Sequence, residues 1–391
     1  MTFILGCGNI GSLIATSLKK VSRSEITLIF QNQKRLEQFV KNESTITMKY
    51  SNINQIESTQ FPAMTYSSLR KSYNQRLSSL NKTIDQFIGN QPPQHPEQIS
   101  ESSFPVDEGK RFIDNLIITT KAQDTYNSLL PLFPLINDQT NLVFIQNGAG
   151  VVEHIYKSYF AKLPPNQRPA NIFQGIINHG VYRLDNKNFE FTHTSRGKGE
   201  LKLGKYTDPN GSEIDKSTEL PEIISDLAKT DLHVSYSPNP LDFQLVYFEK
   251  LIVNAIVNPL TTLFECRNGE LLEMSRIRPL MTKLLKEDIK FLYLNYFNEK
   301  NYSASDLQII QNTIDEERLM NIILKVIKLT ANNYSSMLQD YKLNKKSFEI
   351  NYLNGFFVRS DTSNTNYNKM LVDMIQNKQD MRDDKQSNIS L

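Results

Sequence analysis

The sequence is sparing in several things, and each scarcity excludes a class of function. It holds no run of about 18 apolar residues, so no membrane-spanning helix is expected. It has two cysteines, Cys7 and Cys266, which excludes a disulfide framework and points to a reducing compartment. Net charge is only +2, from 44 basic and 42 acidic residues, which gives no global pull towards nucleic acid or an anionic membrane. The five histidines and two cysteines show no ligand spacing, so no metal site is expected. The N-terminus runs at once into an apolar stretch without a basic flank or an Arg-rich presequence, so the expected location is cytoplasmic.

What is present is a chain of 391 residues, enough for two domains with a core in each. Phe3-Ile-Leu5 leads into Gly6-Cys7-Gly8-Asn9-Ile10-Gly11, and a helical pattern follows through Leu13, Ile14 and Leu18. Strand, glycine turn and helix together form the dinucleotide fingerprint. Gly6 permits the tight turn, Gly8 lets backbone approach a pyrophosphate, and Gly11 lets the helix pack close to the strand. A second strand, Ile26–Phe30, ends in Gln31-Asn-Gln-Lys34-Arg35. An NAD site usually carries an acid about 20 residues beyond the glycines. Here there is none, and two cations stand close by, which favours NADP(H).

Residues 67–110 are poor in pattern and read as a surface insertion, partly helical near Ser68 to Phe87, with His95 facing solvent. The apolar runs Leu116–Ile118 and Leu142–Ile145 suit buried parallel strands. They deliver Lys121 and Gln146-Asn147-Gly148-Ala-Gly150 to the edge where ligands collect in open α/β sheets. The two glycines suggest backbone passing close to something flat or charged. A strand from Asn171 and hairpin-like segments near Val181, Phe189–Thr194 and Leu201–Leu203 close this part, with His179 and His193 read as structural. Beyond Pro240 the pattern turns helical. Helices are expected over Leu241–Leu263, over Glu270–Tyr296 with a break at Pro279, and over Ile309–Asn332. A polar loop is expected at 334–340 and a frayed tail from Asn377. The expected architecture is an α/β Rossmann-type dinucleotide-binding domain (1–217) followed by an all-α domain (218–391).

One helical stretch stands out. Lys250, Asn254 and Asn258 fall at i, i+4 and i+8, on one face of a helix that is otherwise apolar, with Pro259 ending or kinking it. A solvated polar stripe is the plain reading of such a row. Two in-phase carboxamides beside a lysine on a buried helix favour a ligand site.

Taken together, several segments resemble the ketopantoate reductases (2-dehydropantoate 2-reductases), and look closest to fungal members. They are Gly6–Gly11, Lys121, Gln146–Gly148, Lys250–Leu263, Cys266-Arg-Asn-Gly-Glu270, Ser335–Asp340 and Glu349-Ile-Asn-Tyr-Leu-Asn-Gly355. The resemblance implies NADPH-dependent reduction of ketopantoate to pantoate, feeding pantothenate and coenzyme A synthesis. Lys250 then matches the catalytic proton donor, and Glu349 an acid near the nicotinamide and the lysine. Asn254, Asn258, Asn268 and Ser336 match substrate contacts. Gly6 through Gly11, Lys121, Asn147 and Gly180 match cofactor contacts. The family's cofactor-phosphate arginine falls near Gln31, leaving Lys34 or Arg35 to substitute. The partner expected is a small molecule, with no nucleic acid or membrane, for a monomer or a homodimer. Two alternatives stay open: a reductase of another 2-keto acid, and a non-catalytic relative that acts as a mitochondrial translation factor.

Overall fold

The computed structural model describes residues 1–51, 55–65, 112–183, 188–206, 219–297, 302–345, 349–358 and 366–389. The expected insertion at 67–110, His95 included, lies outside them. The strands are β1 (Thr2–Leu5), β2 (Ile26–Phe30), β3 (Thr45–Tyr50), β4 (Gln55–Gln60), β5 (Ala63–Thr65), β6 (Asn115–Ile118), β7 (Asn141–Ile145), β8 (Asn171–Ile177), β9 (Val181–Arg183), β10 (Glu190–His193), β11 (Leu201–Lys205) and β12 (Val234–Ser237). Eight of them form one sheet in the order β12-β11-β8-β7-β6-β1-β2-β5, and β4-β3-β10-β9 form a second, smaller one. The large sheet is parallel except where β8 meets β11. Its central strands β1 and β2 are buried along their whole length and apolar but for Thr2 and Thr27, as burial on both faces favours. The sheet takes in Val234–Ser237, so it runs past the expected division at 217/218.

Helices α1 (Asn9–Lys19), α2 (Gln33–Lys41), α3 (Ala122–Leu129), α4 (Val151–Ser158) and α5 (Glu222–Ala228) accompany this sheet. Strand order turns at β1, with β2 on one side and β6 on the other. The crevice outside the carboxyl ends of such strands is where open α/β sheets take ligands.

The second half is helical: α6 (Pro240–Phe264), α7 (Ile277–Asn295), α8 (Ala304–Thr313), α9 (Glu316–Leu329), α10 (Ser336–Lys342), α11 (Asn354–Val358) and α12 (Asn366–Ile389). An α/β domain followed by a largely α-helical one is therefore the architecture. Four expectations change in detail. The break before α7 falls at Met274–Arg276, and Pro279 sits inside its first turn, where a missing N–H costs nothing. The stretch expected as one helix over Ile309–Asn332 is two, because the Asp315 side chain accepts from the Arg318 N–H and starts a new helix. The expected polar loop at 334–340 is mostly α10, capped by Ser335 through the Leu338 N–H. The expected frayed tail belongs to α12 as far as Ile389.

Pro259 does not end α6, which runs on to Phe264. A proline there leaves the carbonyl of Ala255, four residues earlier, without its helical donor. Asn354 supplies one: its Nδ2 donates to Ala255 O at 2.8 Å and to Asn368 Oδ1 at 2.8 Å. Asn368 in turn donates to Asp288 Oδ1 at 2.8 Å. Asn354→Leu keeps the volume and strands the buried carbonyl. We expect a loss of about 2–3 kcal/mol of stability, read as a lower urea midpoint with unchanged slope.

Candidate active site

The glycine turn is built as tightly as its spacing implies. Gly6 has φ +101°, and a Cβ there would lie 2.6 Å from Thr120 N. A Cβ on Gly11 would collide with Gly6 O and the Thr119 hydroxyl. Gly8 is the opposite case, because nothing lies within 4 Å of the place a Cβ would take. It caps α1, whose first bond runs from the Ser12 N–H to Gly8 O at 2.9 Å. The N–H groups of Asn9, Ile10 and Gly11 at that helix end have no intrahelical partner. Open backbone, unpaired donors and the positive end of a helix suit a pyrophosphate, so the turn fits a dinucleotide. Cys7 is half-buried with its thiol towards Ile29 O, and burial pushes it up to about 12, so it stays a neutral thiol.

At the end of β2 the three expected contacts part company. Gln31 donates from Nε2 to Ser128 Oγ at 2.5 Å, which ties it to α3. Lys34 is exposed. Arg35 is fixed: its Nη1 donates to Gln38 Oε1 at 3.3 Å and Asn188 Oδ1 at 3.2 Å, and its guanidinium lies 4.3 Å over the Phe189 ring.

Lys250 reaches from α6 across to the strand ends. Its Nζ donates to Asn147 Oδ1 at 3.2 Å and to Ile177 O at 2.5 Å. Gln146, Asn147, Gly148, Ile176, Tyr247, Lys250, Leu251 and Asn254 line one cleft. Burial pulls the Lys250 ammonium down to about 8, against the pull of Glu349 that raises it. Asn254 lines the cleft one turn on. Asn258, another turn on, donates to Ser336 Oγ at 3.4 Å. Asn268 donates to Thr330 Oγ1 at 2.8 Å and from its N–H to Asn333 O at 3.0 Å, just before Ser336 in the chain, with its own side-chain carbonyl oxygen buried and unpaired. The close approach at Gly148 is to protein: with φ +88°, a Cβ there would lie 2.8 Å from Tyr352 Cβ. The Ala149 N–H donates to Tyr352 O at 2.7 Å, which holds the 3-10 turn Glu349–Tyr352 against the Asn147 loop.

Beside Glu349 the charges are dense. Lys121, at the start of α3, pairs with Asp340 of α10, and Lys345 pairs with the same carboxylate. Burial raises the Glu349 carboxyl, and Lys121, Lys250 and Lys345 oppose that shift. Burial also lowers Lys121. Gly180 immediately precedes β9, its N–H donating to Ser195 Oγ at 2.7 Å. His179 and His193 do have partners, namely each other, at 2.9 Å, with His179 also on Leu232 O. Burial lowers both, His193 to about 4, so they form a neutral buried pair.

Two contributors escaped the sequence reading. Tyr247 donates from its hydroxyl to Gly148 O at 2.7 Å and lines the cleft. It precedes Lys250 by three, so extending the polar stripe one turn back would have found it. Asp340 was visible only as part of a motif, with no sign of its partners.

Family models for ketopantoate reductase PanE/ApbA match residues 2–208, and for its C-terminal part residues 242–379. The chain belongs to the ketopantoate reductase family. A probable 2-dehydropantoate 2-reductase of Schizosaccharomyces pombe is 28% identical over 370 residues, 93% of this chain and 91% of that one. The cytochrome b translational activator CBS2 of Saccharomyces cerevisiae is 23% identical over 395 residues, 90% of this chain and 88% of that one. The ternary structure of D-mandelate dehydrogenase with NADH and anilino(oxo)acetate shares the fold, with TM-score 0.67 and 18% identity over 97% of this chain and 99% of that one. Ketopantoate reductase family membership supports oxidoreductase chemistry on a 2-keto acid with an NAD(P)H-type cofactor. Among the described residues no helix is long and apolar enough to cross a membrane.

Proposed function

We propose that this chain reduces ketopantoate to pantoate with NADPH, with Lys250 as proton donor, in the route to pantothenate and coenzyme A. The observation that carries the reading is the Lys250 ammonium, held by Asn147 and Ile177 in a cleft that Gln146, Tyr247 and Asn254 also line. When bound, the reduced nicotinamide supplies a hydride to C2 of the keto acid. Lys250 stabilises the charge that grows on the ketone oxygen and passes it one proton, which leaves a neutral amine and a 2-hydroxy acid. Lowering by burial brings the ammonium close to the working pH, where it is still charged and gives its proton readily. Asn254, Asn258, Asn268 and Ser336 serve the carboxylate and hydroxyl of the substrate, since amides both donate and accept. Gly6 to Gly11, Lys121, Asn147, Gly180 and Glu349 serve the cofactor. At the end of β2, Arg35 has the better claim than Gln31 or Lys34 because its position is fixed.

A pH profile tests the acid role. The acid must be protonated, so kcat/KM is expected to fall by tenfold per pH unit above about 8. A limb that stays flat to pH 10 or so would remove Lys250 from that role. A substrate panel tests the keto acid: kcat/KM on ketopantoate is expected to exceed that on other 2-keto acids by about tenfold or more.

The likeness to the translational activator supports a second reading, a binding protein without turnover. The intact glycine turn and the held lysine weigh against it. It requires binding of NADPH with no oxidation on any keto acid.

A further inference from the structure

Two arginines stand on elements that meet beside the glycine turn, Arg35 on α2 and Arg183 on β9, and neither pairs with a carboxylate among the described residues. Arg35 is held by Gln38, Asn188 and the Phe189 ring on one side. Arg183 ends β9, paired in register opposite Phe191 of β10. The strand that carries it is pinned to the turn, because Asn9 Nδ2 donates to Val181 O at 2.9 Å. Strand alternation puts Val181 and Arg183 on the same side of β9. The two cations feel one another and the turn: burial lowers Arg35, Arg183 lowers it further, and the Cys7 thiol acts the other way. Arg183 is exposed, and β10, which it faces at Phe191, follows directly on the Phe189 ring that carries the Arg35 guanidinium, so the two strands bring both arginines to one region, where Arg183 also acts on Lys345.

Like charges at short range cost energy unless an anion lies between them. The place they flank follows the carboxyl end of β2, where the adenosine ribose of a dinucleotide carries its 2′ substituent. We propose that Arg183 and Arg35 together grip the 2′-phosphate of the cofactor, so that Arg183 is a residue that selects NADPH over NADH. This rests on the dinucleotide reading above. A phosphomonoester dianion suits two guanidinium groups because each can offer it two parallel N–H donors. The departure at Gln31 is then made good from two elements: one arginine a turn into α2 and one from a strand more than a hundred residues later in the chain.

The test is calorimetric and needs no turnover. Purified full-length protein and its Arg183→Ala variant are titrated with 2′,5′-ADP, 5′-AMP, NADPH and NADH, and both apo proteins are melted as a fold control. The expected result is that Arg183→Ala weakens 2′,5′-ADP and NADPH by about tenfold or more, with 5′-AMP and NADH within about twofold. Arg183→Lys should fall between, since the charge remains and the fork is lost. Equal weakening of all four ligands would overturn the proposal and move the contact to the phosphates both cofactors share. Unchanged affinities would overturn it outright while leaving NADPH binding intact. Wild-type protein that binds none of the four would instead remove the dinucleotide reading, and the proposal with it.

Discussion

Lys250→Ala lowers kcat on ketopantoate by about 10²-fold or more, with NADPH affinity within a few-fold of wild type. The expectation follows from where the ammonium sits. It leaves α6 at a position whose neighbours Leu251, Ile252 and Ala255 are packed into the helical core, so the helix cannot swing to offer another group. Its two hydrogen bonds, to Asn147 and Ile177, aim it at the cleft. A role only in folding would show differently. It would lower the melting temperature and weaken NADPH, because the Asn147 loop would lose its anchor. Loss of a proton donor lowers kcat and kcat/KM together and leaves cofactor binding alone. Lys250→Met, which keeps the aliphatic stem, separates the two further: kcat is expected to fall as far as in the alanine variant, with a melting temperature closer to wild type.

The second large effect belongs to Gly8. Gly8→Val is expected to weaken NADPH by about 10²-fold, or about 2.7 kcal/mol, and to leave the apo protein close to wild type in stability. Nothing lies within 4 Å of its missing Cβ, and its φ of −90° is one any residue adopts. The only thing a side chain there displaces is the ligand whose phosphates approach the helix end. Gly11→Val should behave in reverse, with stability lost first, because its Cβ would meet Gly6 O and Thr119. Isothermal titration and thermal melting on the two variants give the comparison. Normal NADPH affinity in Gly8→Val would mean that the turn does not hold the dinucleotide.

Much of this was legible in the sequence because it is local. The strand, glycine turn and helix are contiguous, and Ile26–Phe30 is found as a strand with the bounds read from its pattern. The row Lys250, Asn254, Asn258 needs only a helical period, and two of its members line the cleft. The misreadings have physical causes. Apolar spacing runs through Ile310, Ile314 and Leu319, all buried, so one helix was read where Asp315 starts a second. The stretch from Ser335 is polar, and its helix shows only through the cap. Pro259 is read as ending or kinking its helix; α6 runs on past it, and Asn354, some hundred residues away, satisfies the carbonyl it exposes. The pairing of Lys121 with Asp340 spans 219 residues, and the mutual partnership of His179 and His193 needs a hairpin to bring it about. No periodicity encodes contacts of that kind.

The measurement that bears most directly on the central claim is the stoichiometry of NADPH oxidation by the purified chain with ketopantoate. The account predicts one pantoate formed per NADPH consumed, with Lys250→Ala nearly silent under the same conditions. NADPH that binds and is not consumed, with ketopantoate or any other 2-keto acid, would contradict it.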